Sequence, residues 1–149
     1  MNKKVFLGGT CNSSQWREAV KPLVKIDYFD PVCKGEWTQE AYERELYERE
    51  HCDFVMYVIT PKMTGVYSIA EVVDDSNKRP GKTLFCFLEA DEGSAFDKVQ
   101  IKSLNAVAKM VKNNGGKVFE SIVEMTNYLN TFAVDVEHDE EDGELTAHG

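Results

Sequence analysis

Residues 52–60, CDFVMYVIT, make a near-continuous apolar run of strand length. A run without polar alternation belongs to a buried strand, of the kind found inside a parallel sheet covered on both faces. Four other runs share its character: KKVFLGG (3–9), IDYFDPV (26–32), KTLFCFLEA (82–90) and KVFE (117–120). Each run is followed by a stretch of helical character. After the first, SQWREAVKPLVK sets Trp16, Val20, Leu23 and Val24 at helical spacing, with Ser13 or Ser14 as cap and Pro22 kinking or ending the helix. The others are the charged segment 38–51, the segment 66–78 ended by Arg79-Pro80-Gly81, a helix near 96–113 ended by Asn113-Asn114-Gly115-Gly116, and 122–133. Ser121 and Glu124 form a capping box for the last of these. Strand and helix in strict alternation predict an α/β fold with right-handed crossovers. The expected form is a five-stranded parallel sheet of order 2-1-3-4-5 in a flavodoxin-like, Rossmann-like three-layer sandwich.

The chain of 149 residues fits one domain, expected over residues 1–133. Residues 134–149 hold Asp135, Glu137, Asp139, Glu140, Glu141, Asp142 and Glu144 with no Lys or Arg, so they carry −7 of the net charge of −9 and leave −2 for the body. Such a tail has too little apolar content to fold and repels itself; it is expected to be disordered, serving solubility or docking a basic partner. A near-neutral body without a basic stripe argues against nucleic-acid binding. No apolar run is long enough to span a bilayer and VFL is too short for a signal peptide, so no membrane partner and a cytoplasmic location are expected. Cys11, Cys33, Cys52 and Cys86 are scattered, as expected of reduced thiols.

Several phosphate signals nearly form. Gly8-Gly9-Thr10 follows the first strand but is not GxGxxG. Gly81-Lys82-Thr83 resembles the end of a phosphate-loop motif, yet it precedes a strand and Ser76 stands where the first glycine belongs. His51, His138 and His148 have no metal-ligand spacing; no metal and no organic cofactor is expected. What remains is a set of carboxylates near the carboxyl edge of the sheet, where open α/β folds bind ligands. On helix 66–78, Val66, Ile69, Ala70, Val72 and Val73 share the apolar face, and Glu71 falls off it beside Tyr67, Asp74 and Asp75. It is expected not to be a buried core acid, but to be solvated or to look into a cleft. On helix 38–51, Glu45 and Arg49 fall within the arc of Ala41, Tyr42, Leu46 and Cys52, as a partly buried ion pair or as the wall of a pocket. Gly8, Gly9, Thr10 and Asn12 follow the first strand, Asp30, Cys33 and Trp37 the second, and Met63, Gly65 and Tyr67 the third. Glycines for close approach and aromatics for stacking suit a nucleoside-sized ligand, although each also has an ordinary structural use.

FLGGT with Trp16-Arg17 downstream, the segment ELYEREHCDFVMYVITP and the helix GVYSIAEVV resemble the nucleoside 2-deoxyribosyltransferases and their N-glycosidase relatives. The likeness runs in element order over about residues 3–133 and is most specific over 45–73. It implies that Glu71 is the nucleophile at an N-glycosidic bond and that Glu45, followed by Leu46 and eight residues before Asp53, contacts the base. It also implies a nucleoside or nucleotide as substrate, with the first-strand loop, Tyr67 and Ser68 shaping the sugar or phosphate site, and a homodimer or larger assembly. Phe6 stands where the family often has tyrosine, and Lys62, Met63 and Thr64 stand where many members carry a second acid. A nucleotide-binding module without turnover, an interaction protein using its tail, and an NAD-type glycohydrolase are the alternatives.

Overall fold

The computed structural model describes residues 2–11, 13–32 and 38–133. Asn12, Cys33, Trp37 and the acidic tail 134–149 lie outside the described residues. In chain order the elements are β1 (Lys4–Gly9), α1 (Trp16–Val20), β2 (Asp27–Phe29), α2 (Gln39–His51), β3 (Phe54–Ile59), α3 (Tyr67–Lys78), a 3-10 turn at Pro80–Lys82, β4 (Thr83–Phe87), β5 (Ala90–Asp91), β6 (Ser94–Ala95), α4 (Lys98–Asn113), β7 (Lys117–Val118) and α5 (Ile122–Asn130).

The main sheet runs β2-β1-β3-β4-β7, parallel throughout. This is the expected 2-1-3-4-5 order, the fifth core strand being β7 because the acidic loop after β4 holds a small antiparallel hairpin, β5–β6. Glu92 and Gly93 turn that hairpin at φ 43° and 86°, a left-handed pair that tight hairpins require. All six residues of β3 are buried, since it lies mid-sheet with helices on both sides. On one face Val5, Leu7, Met56, Val58 and Leu84 pack against Trp16 and Val20 of α1 and Met125 and Leu129 of α5. On the other, Phe6, Val55, Tyr57 and Phe85 meet Val72 of α3 and Leu104 and Val111 of α4. These two apolar layers make the three-layer sandwich.

The sequence reading and the structure part in details with local causes. The first helix ends at Val20 and continues only as turn to residue 23, because Pro22 cannot extend it; Leu23 is left 43 % exposed. Ser121 Oγ accepts from the Glu124 amide at 3.1 Å, but the Glu124 carboxylate accepts from the Glu120 amide instead of closing the box on Ser121. A full capping box stands at Asp97 and Gln100. Leu46, placed by periodicity on the apolar arc of α2, is 41 % exposed, while Glu48 and Arg49 are buried. Cys11, Cys52 and Cys86 are unbridged, and among the described residues no helix is long and apolar enough to cross a membrane.

Candidate functional site

The loop leaving β1 is built by Trp16 and Arg17. Trp16 Nε1 donates to the Thr10 carbonyl at 2.8 Å, and Arg17 donates to the carbonyls of Thr10 (2.7 Å), Leu7 (2.9 Å) and Gly9 (3.3 Å). Its guanidinium lies over the Trp16 ring, 4.4 Å from the centroid. A strand end whose carbonyls have no ladder partner thus finds its donors on the next helix, as buried backbone acceptors must. Gly9 has φ 123°, and a Cβ there would fall 2.1 Å from the Val58 carbonyl oxygen; only glycine lets β1 pass so close to β3. Thr10 Oγ1 accepts from the Thr60 amide at 2.8 Å and Ser68 Oγ donates to the Gly9 carbonyl at 3.1 Å. The first and third strand loops and the start of α3 are therefore tied into one rigid edge.

Glu71 lies in the second turn of α3. It is 8 % exposed and shares the buried side of α3 with Val72, Asp75 and Ser76, whereas Val66, expected on the apolar face, is 69 % exposed. This corrects the expectation that Glu71 is not a buried acid and removes the solvated alternative, while the alternative of a residue looking into a cleft agrees with its place on a cavity wall. Helix α2 covers it: Arg49 Nη1 stands 3.3 Å from Glu71 Oε2. Burial pushes the Glu71 carboxyl up to about 7; the Arg49 cation pulls it down, and the neighbouring charges of Glu45, Asp75 and Asp74 push it up. The expected Glu45–Arg49 pair gives way to pairing between helices, with Arg49 held by Glu71, Asp74 and Asp75 of α3. Glu45 is half-buried, and burial raises its carboxyl above the ordinary range, against the pull of Arg49 and Arg17.

Glu45 and Glu71 share the wall of one cavity of about 230 Å³ with Gly9, Thr10, Met63, Gly65, Tyr67 and Ser68. Most of the described candidates are brought together here, at the carboxyl edge of the sheet. A Cβ on Gly65 would meet nothing within 4 Å, so a small side chain at this cavity-lining position would not clash. Tyr67 and Glu71 also border a wider cleft of about 520 Å³, lined by Arg49, Ala70, Val73, Asp74 and Asn77.

Two candidates lie elsewhere. Gly8 lies inside β1, where a Cβ would come 2.6 Å from the Tyr57 ring; it is a packing glycine and not a lining residue. Asp30 borders a separate cleft and pairs with Lys21 at 2.7 Å and Arg17 at 3.7 Å. Burial pushes its carboxyl up, but the Lys21 hydrogen bond, the Val32 amide and both cations outweigh that and leave it low. Cys11, Ile59 and Thr64 also line the shared cavity; Cys11 and Thr64 adjoin named residues of the two loops, whereas Ile59 is the last residue of β3 and carried no such signal. Among the described residues, no group of three or more His, Cys, Asp or Glu side chains is placed to hold a metal ion.

The profile of a family described as "Nucleoside 2-deoxyribosyltransferase like" matches residues 2–89, from β1 to the end of β4, and so takes in both carboxylates of the cavity. No curated protein sequence matches the chain significantly.

Proposed function

The chain belongs to the nucleoside 2-deoxyribosyltransferase-like family, and from that premise we propose that it cleaves or transfers the N-glycosidic bond of a nucleoside or nucleotide, with Glu71 as nucleophile. The observation that carries the reading is the pair of carboxylates, Glu45 and Glu71, on the wall of one cavity at the ligand-binding edge.

In the proposed reaction the ionised Glu71 attacks C1′ of the sugar through an oxocarbenium-like state, forming a glycosyl ester as the C1′–N bond breaks. The bonding electrons leave with the base, and Glu45, on the wall of the same cavity, donates the proton the base needs. Attack at C1′ by water, whose proton Glu45 takes back, gives free sugar and regenerates Glu71; attack by a second base, which gives up its ring proton to Glu45, gives a new nucleoside. The rigid edge of Gly9, Thr10 and Ser68 would set the sugar against Glu71, and Tyr67 would border the base or sugar. A homodimer or larger assembly is part of the same proposal.

The test is chromatography of free base released from 2′-deoxynucleosides, their 5′-monophosphates, ribonucleosides and NAD, with and without an added acceptor base. Release by the wild type and none by Glu71→Ala supports the reading, and the acceptor lanes separate transfer from hydrolysis. No release from any substrate by a folded wild type removes it. A second reading, nucleotide binding without turnover, is favoured by Met63 and Thr64 at the cavity wall in the loop where the resemblance places a further acid. It predicts a nucleotide-induced rise in Tm with no free base.

A further inference from the structure

Arg49 reaches Glu71 from α2, and it is itself gripped from behind. Glu71 and Asp75 stand one turn apart on α3, and the guanidinium spans both. Nε and Nη2 donate to the two oxygens of Asp75 at 3.2 and 3.0 Å, which leaves Nη1 for Glu71 at 3.3 Å. Asp75 is fully buried. It accepts from the Tyr57 hydroxyl of β3 at 2.5 Å and from Arg79 at the end of α3. Asp74 touches Arg49 at 3.5 Å and is shared with Lys78 at 3.1 Å. Arg49 is not among the residues lining the cavity of Glu45 and Glu71; it borders the neighbouring cleft.

A carboxylate this buried would take up a proton without a cation beside it, and a protonated carboxyl is a poor nucleophile. A cation bound wholly to it would have the opposite fault, tying up the electron pairs that must attack. The bidentate grip of Asp75 divides the guanidinium, leaving Glu71 a single, longer contact. From this geometry we infer that Arg49, fixed by Asp75 and Tyr57, is a positioning residue that draws Glu71 toward its ionised form and orients it while leaving it free to react. The inference rests on the reading of Glu71 as nucleophile.

The charged groups acting on Glu71 are Arg49 and Glu45 from α2 and Asp74 and Asp75 from α3. Their signs make the inference testable without turnover. The experiment is a carbon-13 NMR titration of side-chain carboxyls in the full-length protein, with the Glu71 resonance assigned by its loss in Glu71→Gln. In Arg49→Gln the midpoint of Glu71 moves to higher pH by about one pH unit or more, the size of effect a close opposite charge exerts. In Asp75→Asn it moves to lower pH, because a repelling charge is gone and Arg49 is released toward Glu71. Arg49→Lys lies between wild type and Arg49→Gln. Both Arg49→Gln and Asp75→Asn break the same buried pairs, so a merely structural role would not send them in opposite directions. If Arg49→Gln fails to fold, Asp75→Asn and Arg49→Lys carry the test. An unmoved midpoint, or the same direction in both variants, overturns the inference. If the midpoints move as stated and the acid limb of kcat/KM follows them, both readings stand. If they move and the wild type releases no base, the nucleophile reading falls and the inference falls with it, although Arg49 still sets the charge of Glu71.

Discussion

Replacing Glu71 by Gln should stabilise the protein at neutral and alkaline pH while abolishing the proposed activity. The carboxyl of Glu71 rises from an ordinary 4.5 to about 7 on folding. At about 1.4 kcal/mol per pKa unit, holding it ionised in the folded state costs about 3 kcal/mol. The sign follows from proton counting. A folded-state pKa above the unfolded value contributes stability that is fully present below about 4.5 and is lost as pH rises through about 7, because in that window the folded chain holds a proton the unfolded chain has released. Gln has nearly the shape of the protonated acid and no proton to lose. The stability of Glu71→Gln relative to wild type should therefore grow by about 3 kcal/mol between pH 4.5 and pH 8. Equilibrium urea unfolding of both proteins across that range measures the difference, and the comparison cancels every group the two share. Turnover, if the proposed chemistry is right, falls by roughly three orders of magnitude or more in the same variant. A difference that stays flat from pH 4.5 to pH 8, or that turns against Gln as pH rises, would refute the reasoning. It would mean that the Arg49 contact outweighs burial and that Glu71 is a stabilising ion-pair partner.

Five further outcomes are expected. Gly9→Ala sets a Cβ against the Val58 carbonyl at a positive φ and should cost about 2 kcal/mol or more in urea unfolding, whereas Gly65→Ala should leave unfolding unchanged and raise KM. Tyr57→Phe removes the hydroxyl donor from buried Asp75 and should cost about 1.5–3 kcal/mol by thermal or urea melts, the range for a hydrogen bond to a charged group. Glu45→Gln should slow base release by about a hundredfold or more, with the deficit shrinking for substrates whose base departs without needing a proton. Deleting residues 134–149 should leave the rate of base release unchanged, and a loss would give the tail a part in the site.

The sheet was legible because one signal suffices for it. Five apolar runs alternating with helical segments admit few arrangements, and β3, apolar along its whole length, had to lie between two helical layers. The hairpin β5–β6 was not legible, since strands of two residues have no measurable period and only Glu92-Gly93 marks the turn. The candidate site divides the same way. Its loop residues were found because the carboxyl edge of a parallel sheet is a place given by topology, and a residue's distance along the chain from a strand end is readable. The environment of Glu71 was not readable, because a helical wheel tells which side of α3 meets the sheet and is silent on which neighbouring helix covers the rest. The same blindness paired Arg49 with Glu45, its i−4 neighbour, when its partners are one helix over. A polar cluster did leave a trace: Glu71, Asp74 and Asp75 crowd one side of α3, and an arginine falls inside the apolar arc of α2, where a buried cation needs partners. An inward cation on one helix and surplus acids on another are each costly alone and satisfied together. That complementarity, rather than the periodicity of either helix, is the pattern from which the Arg49 cluster could have been inferred.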